Sequence, residues 1–256
     1  MTVDHVCDAC GTTVHGADVE AFAEAYLVHA RADHPDWRYT DTAIRNYAEA
    51  TQRLTGPTQR LESIDEVTIH PVTEDRIDDW LSFFDHDGFA DNPAWAGCYC
   101  TEPHLMPRGT APEEYETQTW RQSRETMAGL LRSGRSCGYL AYVAGRPAAW
   151  VNASRRSDYA LYRLGEGVDP ADGEVVGISC FVVAPPYRRH GLAARLLKRV
   201  LADAPGRGVK WVEAYPFTGE PRDDAGNFRG PRSLYERNGF QPVEEHERHT
   251  VVRRPA

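Results

Sequence analysis

A chain of 256 residues with 41% apolar and 26% charged residues carries enough apolar surface for a packed core, as one large domain or as a small one plus a medium one. Its formal charge of −9 argues against a broad nucleic-acid-binding face, which needs clustered cations, and suits a cationic substrate such as an amine. No run approaches the length of a membrane span, and MTVDHVCDAC lacks the basic and apolar regions of a secretory signal, so a cytoplasmic protein with no membrane contact is expected.

The first unit is read as residues 1–55. The knuckle Cys7-Asp8-Ala9-Cys10-Gly11 precedes a helical pattern over 17–32, in which Phe22, Ala25, Tyr26 and His29 share one face. His29 lies on that helix and His34 just past it. Cys7, Cys10, His29 and His34 would complete a tetrahedral N/S set for Zn2+, a structural site because all four positions are filled. His5 and His15 are competing ligands. A unit of this size has a marginal core, which gives a metal staple a physical purpose. A second helix is expected over 41–52, so the unit reads as a small zinc-binding α domain. Thr55-Gly56-Pro57-Thr58 then breaks the pattern as a linker.

From residue 63 to 256 the order of elements is that of an α+β domain. Strands are expected over 67–72, 137–143, 147–153, 174–183, 209–215, 240–243 and 247–252. Helices are expected over 75–84, 113–132, 192–203 and 231–238. Residues 88–112 and 155–172 read as long irregular loops. Cys98-Tyr99-Cys100, with Trp95 and His104, is open to three readings: a wall of a substrate pocket, a metal site, or plain packing. Cys137 and Cys180 fall in apolar strand-like runs and read as small core residues.

The run VVAPPYRRHGLAARLLKRV, from Val182 to Val200, is the most specific segment. It places a strand, a tight basic turn and a helix start in immediate succession. A helix start offers unpaired N–H groups and a positive dipole end. Gly191 lets the backbone approach a ligand, Leu192 and Ala193 open the helix, and Arg188, Arg189 and His190 add cationic donors. The physical reading is a pyrophosphate cradle. Arg188-x-x-Gly191-x-Ala193 after Val183-x-Pro185 resembles the acyl-CoA signature of the GNAT superfamily of CoA-dependent N-acyltransferases. SLYERNGF, from Ser233 to Phe240, resembles another GNAT region, and the likeness covers about 65–254, without the N-terminal unit.

That resemblance implies a mixed, mainly antiparallel sheet with a splayed central strand pair flanked by helices. It implies that backbone at Phe181, Val182 and Val183 pairs with the pantetheine arm of acetyl-CoA and lends an N–H to the thioester oxygen. It places Tyr235 where the family often has its general acid. Glu213, on the strand facing the wedge, is the first candidate for a general base, and Glu174 the second. The expected activity is direct transfer of an acetyl group from acetyl-CoA to a primary amine on a small molecule or peptide. Two alternatives stay open: an acyl transfer from aminoacyl-tRNA on the same fold, and a non-catalytic acyl-CoA sensor that contacts a partner. A homodimer is also left open.

Overall fold

A computed structural model describes residues 2–111, 114, 117–219 and 223–256. The N-terminal unit is a hairpin of β1 (Val3–Val6) and β2 (Thr13–Gly16) followed by helices α1 (Val19–Asp33) and α2 (Asp41–Arg53). The hairpin is an addition to the two helices that the sequence pattern carries, and it holds the cysteine knuckle between its strands. Asp18 and Thr40 cap the helices by accepting from the N–H groups of Ala21 and Ala43, satisfying donors the first turn leaves free. Gly16 is required where the hairpin meets α1, since a Cβ there would lie 2.3 Å from the Phe22 nitrogen. Phe22, Tyr26, Ile44 and Ala48 fill a small core with Cys7 and Val14.

Strands β3 (Val67–Pro71), β4 (Gly138–Val143), β5 (Arg146–Arg155), β6 (Val175–Val183), β7 (Trp211–Ala214), β8 (Gln241–Glu245) and β9 (Thr250–Pro255) form one seven-stranded sheet. Its order is β3-β4-β5-β6-β7-β9-β8, and β6–β7 is the parallel pair in an otherwise antiparallel sheet. Alternate residues of β4 and β5 face opposite sides. Tyr139, Ala141 and Val151 meet Leu192, Leu196, Leu197 and Val200 of the helix Leu192–Asp203. Leu140 and Trp150 face Trp80, Phe84, Met127 and Leu131 on the other side. Both faces are covered, which explains why the central strands read as unbroken apolar runs.

Two boundaries differ from the sequence reading. The segment expected to start a helix at 113 falls partly outside the described residues, and the regular helix is Trp120–Arg132. Thr119 and Gln122 form a reciprocal capping box that fixes this start. The helix expected over 75–84 is shorter in its regular part, Ile77–Ser82.

The splay lies between β6 and β7. They pair from Val175↔Trp211 to Ile178↔Ala214, after which β6 runs on to Val183 while β7 stops. Beyond Ala214 the chain turns to the β9 side, where the Pro216 carbonyl accepts from Thr250 N–H at 2.9 Å. The far edge of Ser179–Val183 is therefore open to other partners.

The N-terminal unit is fastened to the sheet domain by α2. Asn46 Nδ2 donates to the Gln118 carbonyl and Asn46 Oδ1 accepts from Trp120 N–H, each at 2.9 Å. Trp120 Nε1 donates to Glu49 at 2.7 Å. The Arg53 guanidinium donates to the carbonyls of Phe84, Asp85 and Ala96 and to Tyr99 Oη, over 2.9–3.2 Å. Among the described residues, no helix is long and apolar enough to cross a membrane.

Candidate active site

A cavity of about 980 Å³ runs from the start of the helix Leu192–Asp203, along the open edge of β6, to the N-terminal unit. Its basic end holds the turn from which a cradle is expected. Arg189 (φ 66°) and Gly191 (φ 77°) are both left-handed, which folds the turn tightly ahead of the helix. A Cβ at Gly191 would meet nothing within 4 Å, so glycine is there for its backbone freedom. Leu192, Ala193 and Ala194 line the cavity, and no acceptor among the described residues takes up their N–H groups. These are the helix-start donors that a phosphate would satisfy.

The basic side chains are more committed than the sequence suggests. Arg188 grips Asp91 with both terminal nitrogens, at 2.5 and 2.8 Å, and donates from Nε to the Val183 carbonyl at 3.0 Å. Arg189 pairs with Asp224 at 2.5 Å. His190 turns away, its Nε2 lying 3.0 Å from the Leu61 carbonyl, and it is not on the cavity wall. Arg237 is on the wall and has no ion-pair partner among the described residues. Arg229 also lines the cavity, its guanidinium 4.5 Å from the centre of the Phe217 ring and 5.8 Å from that of Tyr162.

Phe181, Val182 and Val183 line the cavity along β6, as expected for the strand beside the wedge. The Phe181 N–H, however, donates to the Phe228 carbonyl at 2.6 Å. Residues 223–230 thus lie across the wedge as a strap, tied at one end by Asp224 to Arg189.

Three expected roles need correction or relocation. Tyr235 is fully buried, its hydroxyl donates to the Arg229 carbonyl at 2.6 Å, and it is not on the cavity wall. Gly230 stands between, since a Cβ there would come within 3.0 Å of Tyr235 Oη and 3.3 Å of the Phe181 ring. Burial pushes the Tyr235 phenol well above its ordinary range. Glu213 does not face the wedge. It is 2% exposed, paired with Arg156 at 3.1 Å and Arg253 at 2.7 Å, and it accepts from Tyr215 Oη at 2.9 Å. A carboxylate shared by two guanidiniums has no free lone pair directed at an amine, so its place is structural. Glu174 pairs with Lys210 at 2.6 Å at the closed end of β6, away from the splay.

Two groups that the sequence did not single out do lie on the wall. Tyr162, from the loop between β5 and β6, is 3% exposed, and its hydroxyl has no hydrogen-bond partner among the described residues. Its ring stacks on Tyr215 with centroids 3.6 Å apart, at the fork where the β6–β7 pairing ends. Gly177 permits this stack, because a Cβ there would sit 2.8 Å from Tyr215 Oη and 3.0 Å from the Tyr159 ring. Glu102 opens the short helix Glu102–Leu105, which is held against the Tyr162 loop by Leu161 N–H donating to the Pro103 carbonyl at 3.1 Å. The Glu102 carboxylate has no hydrogen-bond or ion-pair partner among the described residues. Neither residue carries a local signal; each acquires its place from contacts distant in sequence.

Cys98 and Cys100 both line the cavity. Tyr99 and Cys100 have positive φ, 47° and 53°, which turns the Cys100 thiol inward. Its sulfur lies 3.3 Å from Cys180 Sγ, and burial holds the Cys100 thiol well above its ordinary range. His104 is no ligand either. Nδ1 lies 3.1 Å from the Asp158 carbonyl and Nε2 3.1 Å from the Asn152 amide.

In the N-terminal unit, Cys7, Cys10, His29 and His34 bring their ligand atoms within 4.8 Å of one another. Cys7 Sγ–His34 Nε2 is 3.4 Å and Cys10 Sγ–His29 Nε2 is 3.5 Å. Tetrahedral zinc with ordinary bond lengths has sulfur–nitrogen edges of about 3.5 Å, so the residues present fit this ion. His29 Nδ1 pairs with Asp33 at 2.6 Å, which leaves Nε2 as the ligand nitrogen. Hydrogen bonds from Thr12 bring the Cys10 thiol down to about 7. The competing histidines are elsewhere: His15 pairs with Asp4, and His5 packs beside Tyr26.

The profile of the acetyltransferase (GNAT) family matches residues 95–240. Among solved structures, an acetyltransferase from Thermus thermophilus is 15% identical, with a TM-score of 0.46 over 75% of this chain and 99% of the other. The GNAT domain of PAT from S. lividans is 16% identical, with a TM-score of 0.47 over 74% and 90%. A PaiA N-acetyltransferase from Thermoplasma acidophilum, in complex with coenzyme A, is 12% identical, with a TM-score of 0.46 over 75% and 99%. A search of curated proteins finds no match.

Proposed function

The chain belongs to the GNAT acetyltransferase family and is an N-acetyltransferase of that type, and from this premise we propose that it moves an acetyl group directly from acetyl-CoA to a primary amine in the cavity along β6. One observation carries the reading. The unpaired N–H groups of Leu192–Ala194 and the open edge of Ser179–Val183 face the same cavity, end to end. The diphosphate takes the helix-start amides, and Arg189 exchanges Asp224 for a phosphate oxygen. The pantetheine arm takes the strand edge once the Phe228 carbonyl yields the Phe181 N–H. That N–H then meets the thioester oxygen as negative charge develops there.

The nitrogen attacks the thioester carbon, the C–N bond forms, and the C–S bond breaks. Tyr162 supplies the proton taken by the departing sulfur, because its hydroxyl is on the wall and uncommitted whereas that of Tyr235 is spent on Arg229. The phenolate regains a proton from the acylated nitrogen, through water, so protons balance. Cys7, Cys10, His29 and His34 hold one structural zinc ion, which ties the knuckle to the end of α1.

Calorimetry with CoA and acetyl-CoA tests the first part, paired with an assay for thiol release in the presence of amines. Binding of both and amine-dependent thiol release are expected. A full-length protein that binds neither would sink the assignment. Metal analysis of the purified chain tests the zinc, one equivalent being expected and none being the contrary result.

A further inference from the structure

The N-terminal unit is part of the cavity wall, and this gives it a use. Asp8, Trp37, Tyr39 and Tyr47 line the end remote from the cradle, facing residues 88–123 of the sheet domain. The charge on the wall is divided. Arg188, Arg189 and Arg237 stand at the cradle end with one wall carboxylate, Asp224, while the Arg229 guanidinium lies 5.8 Å from the centre of the Tyr162 ring, between the two ends. The remote end, formed by the N-terminal unit and residues 88–123, carries Asp8 and Glu102 and, among the described residues, no cationic side chain. Asp8 is held by Tyr47 Oη at 2.8 Å, while the Glu102 carboxylate has no hydrogen-bond or ion-pair partner among the described residues. Between the two ends sits the unpartnered hydroxyl of Tyr162, almost wholly buried.

We propose that this remote end is the acceptor site, that the N-terminal unit builds its wall, and that it selects a cationic primary amine carrying an apolar or aromatic body and no carboxylate. The proposal rests on the acetyl-transfer reading and narrows its substrate class. Glu102 takes the ammonium group, near the fork of β6 and β7, and accepts the proton that the nitrogen sheds before it attacks, passing it on to bulk water. Tyr39 and Trp37 cover the body of the amine through ring faces. An anionic acceptor would meet two carboxylates at this end, the wall cation Arg229 standing farther along beside Tyr162, which disfavours amino acids with a free carboxylate.

The test uses the full-length, zinc-loaded chain with phenethylamine, ethylamine and L-glutamate as probes, followed both by binding calorimetry in the presence of CoA and by acetylation. Phenethylamine is expected to bind and react best and L-glutamate worst. Glu102→Gln is expected to weaken phenethylamine about 10- to 100-fold, the cost of losing one charged hydrogen-bond partner, with CoA affinity unchanged. Tyr39→Ala is expected to bring phenethylamine toward ethylamine; it is the better wall variant because Trp37 stacks on His34, centroids 4.3 Å apart. Preference for L-glutamate, an unchanged affinity for phenethylamine in Glu102→Gln, or an unchanged ratio of phenethylamine to ethylamine in Tyr39→Ala overturns the proposal. Amine binding that depends on Glu102 without acetyl transfer would instead leave this site standing and remove the transferase reading.

Discussion

The backbone N–H of Phe181 donates to the Phe228 carbonyl across 2.6 Å, at the point where β6 has lost β7 as a partner. A main-chain amide on an open strand edge is costly to leave unpaired, so the strand takes a partner from its own chain when no ligand is bound. The same strap places a carboxylate, Asp224, on Arg189 of the cradle. Ligand binding is therefore an exchange of partners at two points.

Asp224→Asn should therefore tighten CoA. The ion pair is surface-exposed, so its loss is worth a modest amount, about a 2- to 5-fold fall in Kd at low salt. Calorimetry on the native and variant proteins measures it. A weaker or unaltered Kd would mean that Asp224 does not compete for the cradle.

The two tyrosines separate cleanly by mutation. Tyr162→Phe removes a hydroxyl that has no hydrogen-bond partner among the described residues, so stability should hold while kcat falls about 100-fold, the usual contribution of a positioned acid. Tyr235→Phe breaks the bond to the Arg229 carbonyl and should cost about 1 kcal/mol of stability, with kcat near that of the native protein. Thermal denaturation and steady-state kinetics on both variants decide the matter. Loss of turnover confined to Tyr235→Phe would return the donor role to the motif tyrosine.

This contrast marks where the sequence stops being informative. The cradle is legible because strand, basic turn and helix start are neighbours in the chain, and each leaves a local pattern. The clustering of Cys7, Cys10, His29 and His34 is legible because few residue types make a chelating set. Glu213 is not, because its partners Arg156 and Arg253 stand 57 and 40 residues away and only the folded sheet brings them to it. The position of the N-terminal unit is equally hidden, since Asn46 meets Trp120 across 74 residues. Tyr162 lies in a polar loop without period, and its stack on Tyr215 depends on Gly177 leaving room.

Chelation should act on the acceptor and spare the cofactor. Zinc bound by four ligands contributes on the order of 10 kcal/mol to holding a small unit together, and Trp37 of the cavity wall stacks on His34 of the Cys/His cluster. Treating the full chain with a chelator is expected to lower its Tm and raise the KM for phenethylamine, with Kd for CoA retained because, among the described residues, no hydrogen bond or ion pair joins the cradle to the knuckle. Kinetics before and after chelation, with zinc restored as a control, measure both. An unchanged KM after complete metal loss would detach the N-terminal unit from substrate binding.

Stability should fall in mild acid, and His104 should account for part of the fall. Its partners fix a neutral ring: Nδ1–H donates to the Asp158 carbonyl and Nε2 accepts from the Asn152 amide. Burial pushes this imidazole down from 6.5 to about 4. Between those values the unfolded chain binds a proton that the folded protein does not, so stability rises with pH across the window. It is fully present above about pH 6.5 and is lost as pH falls toward 4. At pH 4.5 the loss from this residue is about 2 to 3 kcal/mol, or roughly 5–10 °C in Tm for a chain of this size. His249, also pushed down to about 4 by burial, adds in the same direction. Melting curves at pH 7 and pH 4.5 for the native protein and His104→Gln provide the check. The variant should lose less on acidification, and equal losses would mean that the ring is protonated without penalty in the folded state.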